Sequence, residues 1–271
     1  MCRLVSFAAT ADGLPELAAL VKALARSAAR DPLLEALGVR QPSHGDGWGF
    51  AVAVLKGGAW RFHFMKFRNP IFEDSEGLRG LLRILSDSEG EVFLGVIHAR
   101  RASKGEAVTW VDAHPHHAVV RDGTEIYVAH NGRVNKEGLG GPLRRSDTVS
   151  LVLYLARNPP LTEGLRRVVE SGYVESALSL GILIAGLGGA VKVASLNYVS
   201  PKVRDEARRK YYAMHLLEGG RYFIATASST TASFFEESVG IKARELSNGE
   251  LVFMEAGHEG VSYSREKLVE G

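Results

Sequence analysis

The chain contains a single cysteine, at position 2. The small side chain of Cys2 is compatible with removal of Met1, which would leave a thiol and an α-amine on one residue. An α-amine has a reference pKa of about 7.7 to 8.0, so near neutrality it can take the thiol proton directly or through a water. One residue would then be both nucleophile and base. Attack by such a thiolate on a carbonyl creates an oxyanion, which needs preorganised donors. Asn131 and Gly132, at the end of an apolar run, offer a side-chain amide beside a backbone N–H. A second run ends in His98-Ala99-Arg100-Arg101-Ala102-Ser103. The planar arginine fork can grip a carboxylate through two parallel hydrogen bonds. Asp147, within Ser146-Asp147-Thr148, sets an acid where it could hold an ammonium group.

Each feature has a plainer reading when taken alone. A cysteine near the start occurs by chance, an arginine commonly forms a surface ion pair, and Asn-Gly is a frequent tight-turn dipeptide. An acid in the first turn of a helix is already favoured by capping and the macrodipole. His98, His114, His116, His117 and His130 raise a zinc reading, since neutral imidazole is a common ligand. No His-x-x-Glu-His or multi-cysteine pattern accompanies them, so neither a metal nor a cofactor is expected. Lys202, Arg204, Arg208 and Arg209 make residues 198–209 the most basic stretch, and this reads as a solvated face.

The elements that must position these residues are legible as hydrophobic patterns. Residues 2–9 read as a short strand, followed by a long amphipathic helix marked by Leu14, Leu17, Leu20, Val21, Leu24 and Ala28. Residues 48–55 and 59–67 read as a hairpin turning at Lys56-Gly57-Gly58. A helix is expected over 78–85 and buried strands over 92–98 and 126–130. Ser146 should cap a helix over 147–156, with a second helix after Thr162. Further strands are expected over 181–185, 192–199, 209–217, 222–227 and 251–255. Strands at both ends with helices between favour an α+β layered domain.

Length and charge narrow the function classes. The 271 residues show no Pro-rich linker, repeat or low-complexity tract, so one domain over 2–271 is expected. With 33 basic against 31 acidic residues, the formal charge of +2 gives no basic face for nucleic acid. The longest apolar stretch, residues 178–191, is too short and too glycine-interrupted to cross a bilayer and reads as core. No secretory signal is evident, and a cytoplasmic location is expected.

Six segments occur together in a definite order. They are Met1-Cys2-Arg3-Leu4, Gly45-Asp46-Gly47-Trp48-Gly49-Phe50, His98-Ala99-Arg100, Asp112-Ala113-His114-Pro115-His116, His130-Asn131-Gly132 and Ser146-Asp147-Thr148. In this order, over about residues 2–155, the chain resembles the class-II glutamine amidotransferases of the N-terminal-nucleophile hydrolase superfamily, and most of all their single-domain branch. That resemblance implies a four-layer αββα sandwich of two antiparallel sheets, with the N-terminal strand ending in a cleft between them. It implies Cys2 as nucleophile with its own amine as base, and Asn131 with the Gly132 amide as oxyanion hole. Arg100 would hold the α-carboxylate of glutamine and Asp147 its α-ammonium, with His98 and Ser103 also on the substrate side. The implied reaction is amide hydrolysis through a γ-glutamyl thioester, releasing ammonia to a separate synthase or a small-molecule acceptor. Where many relatives carry an aromatic residue, Ala, Thr and then His-Gly after the arginine, this chain has Arg101-Ala102-Ser103-Lys104-Gly105, and Lys104 alters the rim. Two other readings stand beside this one. The substrate could be another γ-glutamyl or linear amide, or the protein could be a catalytically silent regulator of the same fold.

Overall fold

The computed structural model describes residues 2–86, 89–103, 105–142 and 144–269. The expected removal of Met1 and the effect of Lys104 on the rim lie outside the described residues. The strands are β1 (Arg3–Thr10), β2 (Trp48–Lys56), β3 (Ala59–Phe67), β4 (Val92–Ala99), β5 (His116–Val119), β6 (Glu125–Val134), β7 (Val174–Ala185), β8 (Val191–Asn197), β9 (Met214–Glu218), β10 (Phe223–Ser228), β11 (Ala243–Glu245), β12 (Glu250–Gly257) and β13 (Gly260–Lys267). The helices are α1 (Leu14–Ala29), α2 (Pro32–Ala36), α3 (Ser75–Leu85), α4 (Asp147–Arg157), α5 (Leu161–Glu170), α6 (Glu206–Tyr212) and α7 (Ser229–Val239).

The strands form two antiparallel sheets. One has seven strands in the order β11-β9-β10-β1-β4-β2-β3, and the other has six in the order β13-β12-β8-β7-β6-β5. β1 lies in the middle of the larger sheet, with Val5 opposite both Ala227 of β10 and Ile97 of β4. It is buried on both faces, and its alternation divides the labour. Val5 and Phe7 point outward into a core built with Leu17, Leu20 and Leu24 of α1 and Phe235 of α7. Leu4 and Ala8 point inward to meet Leu183, Val193, Val252 and Met254 of the second sheet. The far face of that second sheet carries α4 and α5 through Leu151, Leu155, Leu165 and Val168. Helix, sheet, sheet and helix are thus stacked as four layers, the αββα sandwich that the sequence resemblance implies. Phe7, Phe50, Phe93, Phe223 and Phe235 are all completely buried, each contributing about 2 kcal/mol of transfer free energy.

Most expected elements are present. The hairpin of β2 and β3 turns at Gly57 and Gly58, whose φ values of 59° and 75° are the left-handed pair a tight turn demands. Two expectations are corrected. Residues 209–217 were expected to be one strand, but α6 occupies their first half and β9 begins only at Met214. Asp205 caps α6 by accepting the Arg208 N–H at 2.8 Å, and the buried pair Tyr211 and Tyr212 imitates a strand in composition alone. Ser146 does precede α4, but its hydroxyl caps nothing there and lies 3.5 Å from His116 Nε2 instead. Among the described residues, no helix is long and apolar enough to cross a membrane.

Candidate functional site

Cys2 is buried immediately before β1, and its α-nitrogen donates to Asn131 Oδ1 at 2.8 Å. Asn131 is near the end of β6, in the facing sheet, so the contact joins the two sheets across the sandwich. Because Oδ1 must face a donor, the orientation of the amide is decided, and Nδ2 points elsewhere. That Nδ2 is buried and has no hydrogen-bond partner among the described residues. A buried unpaired N–H costs about 1–3 kcal/mol, so it marks a place where an acceptor is missing.

Gly132 follows with a φ of 146°, where a Cβ would stand 1.9 Å from the Ala177 carbonyl oxygen. Only glycine fits. The register between β6 and β7 also shifts between Gly132 and Val134, the local irregularity that re-aims a strand end beside a site. The Asp147 carboxylate accepts the Val134 N–H at 2.9 Å, tying the start of α4 to this bulge.

The sulfur of Cys2 faces the chain just beyond β4. The Arg101 N–H donates to Sγ at 3.4 Å, and the Arg101 carbonyl lies 3.6 Å from the same atom. This turn is held from the other side by the loop before β2. Asp46 accepts the Ala102 N–H at 2.8 Å, and the Arg101 guanidinium donates to the carbonyls of Gln41 and Ser43 at 2.7 and 2.6 Å. The Gly-Asp-Gly segment therefore positions the backbone around the thiol, a role its turn-like composition does not announce.

Arg100 is nearly buried. It donates to the Ala107 carbonyl at 3.0 Å and faces Glu106 at 3.6 Å. It lines a 290 Å³ cleft with Glu106, Asp112, Lys136, Arg145 and Ser146. Cys2, Asn131 and Asp147 are not in the wall of that cleft; the Arg100–Arg101 peptide joins the two regions. The backbone of Ser103 reaches Glu106, its N–H donating to the carboxylate at 3.2 Å.

Histidines underlie the site. His98 is wholly buried, with Nε2 between the His130 carbonyl at 3.2 Å and His114 Nδ1 at 3.1 Å. His114 Nδ1 also receives the His130 N–H at 3.3 Å, so it is an unprotonated acceptor and His98 Nε2 carries the hydrogen. Burial pushes both His98 and His114 well below the usual imidazole range, and His116 down to about 3. His98 thus braces the strand ends from beneath, with no solvent-facing surface to offer a ligand. Among the described residues, no group of three or more His, Cys, Asp or Glu side chains could hold a metal ion.

A second support, absent from the sequence-based reading, sits one residue after Cys2. Arg3 is completely buried, its Nε donating to Asp31 at 2.6 Å, Nη1 to the Tyr211 carbonyl at 2.9 Å and Nη2 to Thr230 at 3.0 Å. His44 Nε2 lies 2.8 Å from the same Asp31 carboxylate. Burial raises the Asp31 pKa, but the His44 hydrogen bond and the Arg3 charge outweigh it and hold the carboxyl below its ordinary range. Burial pushes His44 down to about 4. Tyr211 stacks under the guanidinium at 4.1 Å and reaches the Cys2 carbonyl with its hydroxyl at 3.4 Å. The only sequence signal was an arginine in a strand that is otherwise largely apolar.

A scan against protein-family models finds no match, and a search of curated proteins finds none. Among solved structures, the chain is similar to glutamine phosphoribosylpyrophosphate amidotransferase from B. subtilis complexed with ADP and GMP. That similarity has a TM-score of 0.60 at 15% identity, covering 100% of this chain and 50% of that one. It is also similar to a structure described as the allosteric regulatory enzyme of purine biosynthesis, with a TM-score of 0.61, 15% identity and the same coverage. The chain therefore spans 50% of the length of the solved structures it matches. The chain therefore shares the fold of these two solved structures, and its two antiparallel sheets agree with the fold that the motif resemblance implies.

Proposed function

We propose that this protein, read as one domain over 2–271, hydrolyses the side-chain amide of glutamine, with Cys2 as nucleophile once Met1 has been removed. The observation that carries the reading is the Cys2–Asn131 contact. The α-nitrogen of the cysteine lies on Oδ1, and Nδ2 of the same amide is buried without a partner among the described residues.

The α-amine accepts the thiol proton, and the sulfur attacks the amide carbon of the substrate. Negative charge moves to the carbonyl oxygen, where Asn131 Nδ2 and the Gly132 N–H receive it. The α-ammonium returns its proton to the departing nitrogen, the C–N bond breaks, and ammonia leaves a γ-glutamyl thioester. Water, losing a proton to the same amine, attacks the thioester carbon; the C–S bond breaks and glutamate departs. The Arg101 N–H, 3.4 Å from Sγ, faces the atom that attacks and later departs. Arg100 takes the α-carboxylate and Asp147 the α-ammonium, with Ser103 at the rim and His98 bracing from below. The ammonia passes to a separate acceptor.

The test is a mass measurement of the purified protein followed by an ammonia-release assay with glutamine. Wild type should begin at Cys2 and release ammonia, while Cys2→Ala should release none. A protein that retains Met1, or whose activity survives Cys2→Ala, removes the proposal.

A further inference from the structure

Three donors converge on the carboxylate of Glu106. Oε2 accepts the Ser103 N–H at 3.2 Å and lies 3.6 Å from Arg100 Nη2, while Oε1 lies 4.0 Å from Lys136 Nζ. This is the set of groups a free carboxylate would seek, two cations and a backbone amide, and the chain has filled it with its own acid. The other acid of the cleft differs. Asp112 is held at 3.0 Å by Arg145 and at 2.7 Å by Thr109, distances typical of committed charge-assisted bonds. The ion contacts of Glu106 are longer than that, and its side chain is 22% exposed against 3% for Arg100. Glu106 can leave; Arg100 cannot.

We propose that Glu106 is a built-in competitor for the ligand's carboxylate, and so a residue that sets affinity and selects ligands able to displace it. The proposal rests on the reading of Arg100 as the α-carboxylate site. A ligand must exchange its own carboxylate for that of Glu106 on Arg100, so its apparent affinity is reduced by the fraction of molecules in which Glu106 occupies the site. A partly exposed ion pair supports a reduction of about two- to sixfold. A ligand without an α-carboxylate gains nothing from the exchange and is held off the cationic pair.

The experiment is calorimetric titration in a Cys2→Ala background, which removes turnover from the measurement. L-glutamine and L-glutaminamide, whose α-carboxylate is replaced by an amide, are each titrated into Cys2→Ala, Cys2→Ala/Glu106→Gln and Cys2→Ala/Glu106→Ala. Glutamine should bind about two- to sixfold more tightly to both Glu106 variants, with no such gain for glutaminamide. Equal or weaker glutamine binding in the variants overturns the competitor role and leaves the amidohydrolase reading standing. A gain of equal size for glutaminamide also overturns it, because the effect would not concern the carboxylate. Glutamine binding to none of the three proteins overturns this proposal and the reading of Arg100 together.

Discussion

Arg3 and Asp31 meet at 2.6 Å with neither side chain exposed, one residue beyond the proposed nucleophile. The pair is bonded on nearly every side, by Tyr211, Thr230 and His44. Removing one partner of such a pair strands the other charge out of water. We expect Asp31→Ala to cost about 3–5 kcal/mol of stability, measured as a fall in the urea midpoint. A midpoint within experimental error of wild type would show that the pair does not hold the N-terminal strand.

Asn131→Ala removes both the acceptor for the Cys2 nitrogen and the buried donor beside it. Turnover of glutamine should drop by about a hundredfold or more, the usual loss for one oxyanion donor. The decisive measurement is kcat at saturating glutamine, set beside a melting curve that verifies the fold. Wild-type kcat in a folded variant would dismiss Asn131 from the mechanism.

Arg100→Ala should act mainly on binding. Losing a charge-assisted contact to the substrate carboxylate weakens it by about ten- to a hundredfold, read as a rise in KM. A normal KM would move the carboxylate site elsewhere in the cleft.

Gly132→Ala should disrupt the β6–β7 bulge, since the new methyl group meets the Ala177 carbonyl and the φ of 146° suits no other residue. We expect loss of activity together with a lowered melting temperature. An alanine variant with both properties intact would mean that the backbone here relaxes freely.

Stability should fall on mild acidification. Burial is the largest cause of the lowered pKa of His98, His114, His116, His130 and His215, and it holds His44 at about 4. The unfolded chain binds protons on these rings near the ordinary value of about 6.5, while the folded chain refuses them. Their contribution is therefore complete above pH ~6.5 and is lost as the pH falls from there towards 4. Each such histidine adds a slope of up to about 1.4 kcal/mol per pH unit. Asp31, lowered below its usual value, adds its own loss only below about pH 4. Urea midpoints that do not change from pH 7 to pH 4.5 would contradict the burial of these rings as neutral groups.

The layers were readable in the sequence because β1, β2 and β4 are short, nearly continuous apolar runs, as strands covered on both faces are, and because α1 and α3 repeat their apolar residues at helical spacing. The candidate site residues stood out where a distinctive residue fell at a strand end, as with Cys2, Arg100 and Asn131. What escaped reading depends on chain closure. Asp31 and His44 carry no pattern that ties them to Arg3; only the packing of α2, the loop before β2 and α6 brings them together. Glu106 was one acid in a polar loop until the structure set it on Arg100. The strand expected at 209–217 failed because two buried tyrosines satisfy a strand and the end of a short helix equally well.

β1 is flanked by β4 on one side and by β10 on the other, and β10 begins more than 200 residues later. During synthesis, β1 leaves the ribosome well before β10 and waits for that neighbour until more than 200 further residues have followed. Pairing across so long a separation is slow. Under the proposed function, the Cys2 thiol is thus withheld from its full setting in a nascent or truncated product, and activity would arrive only when the late strands close around β1.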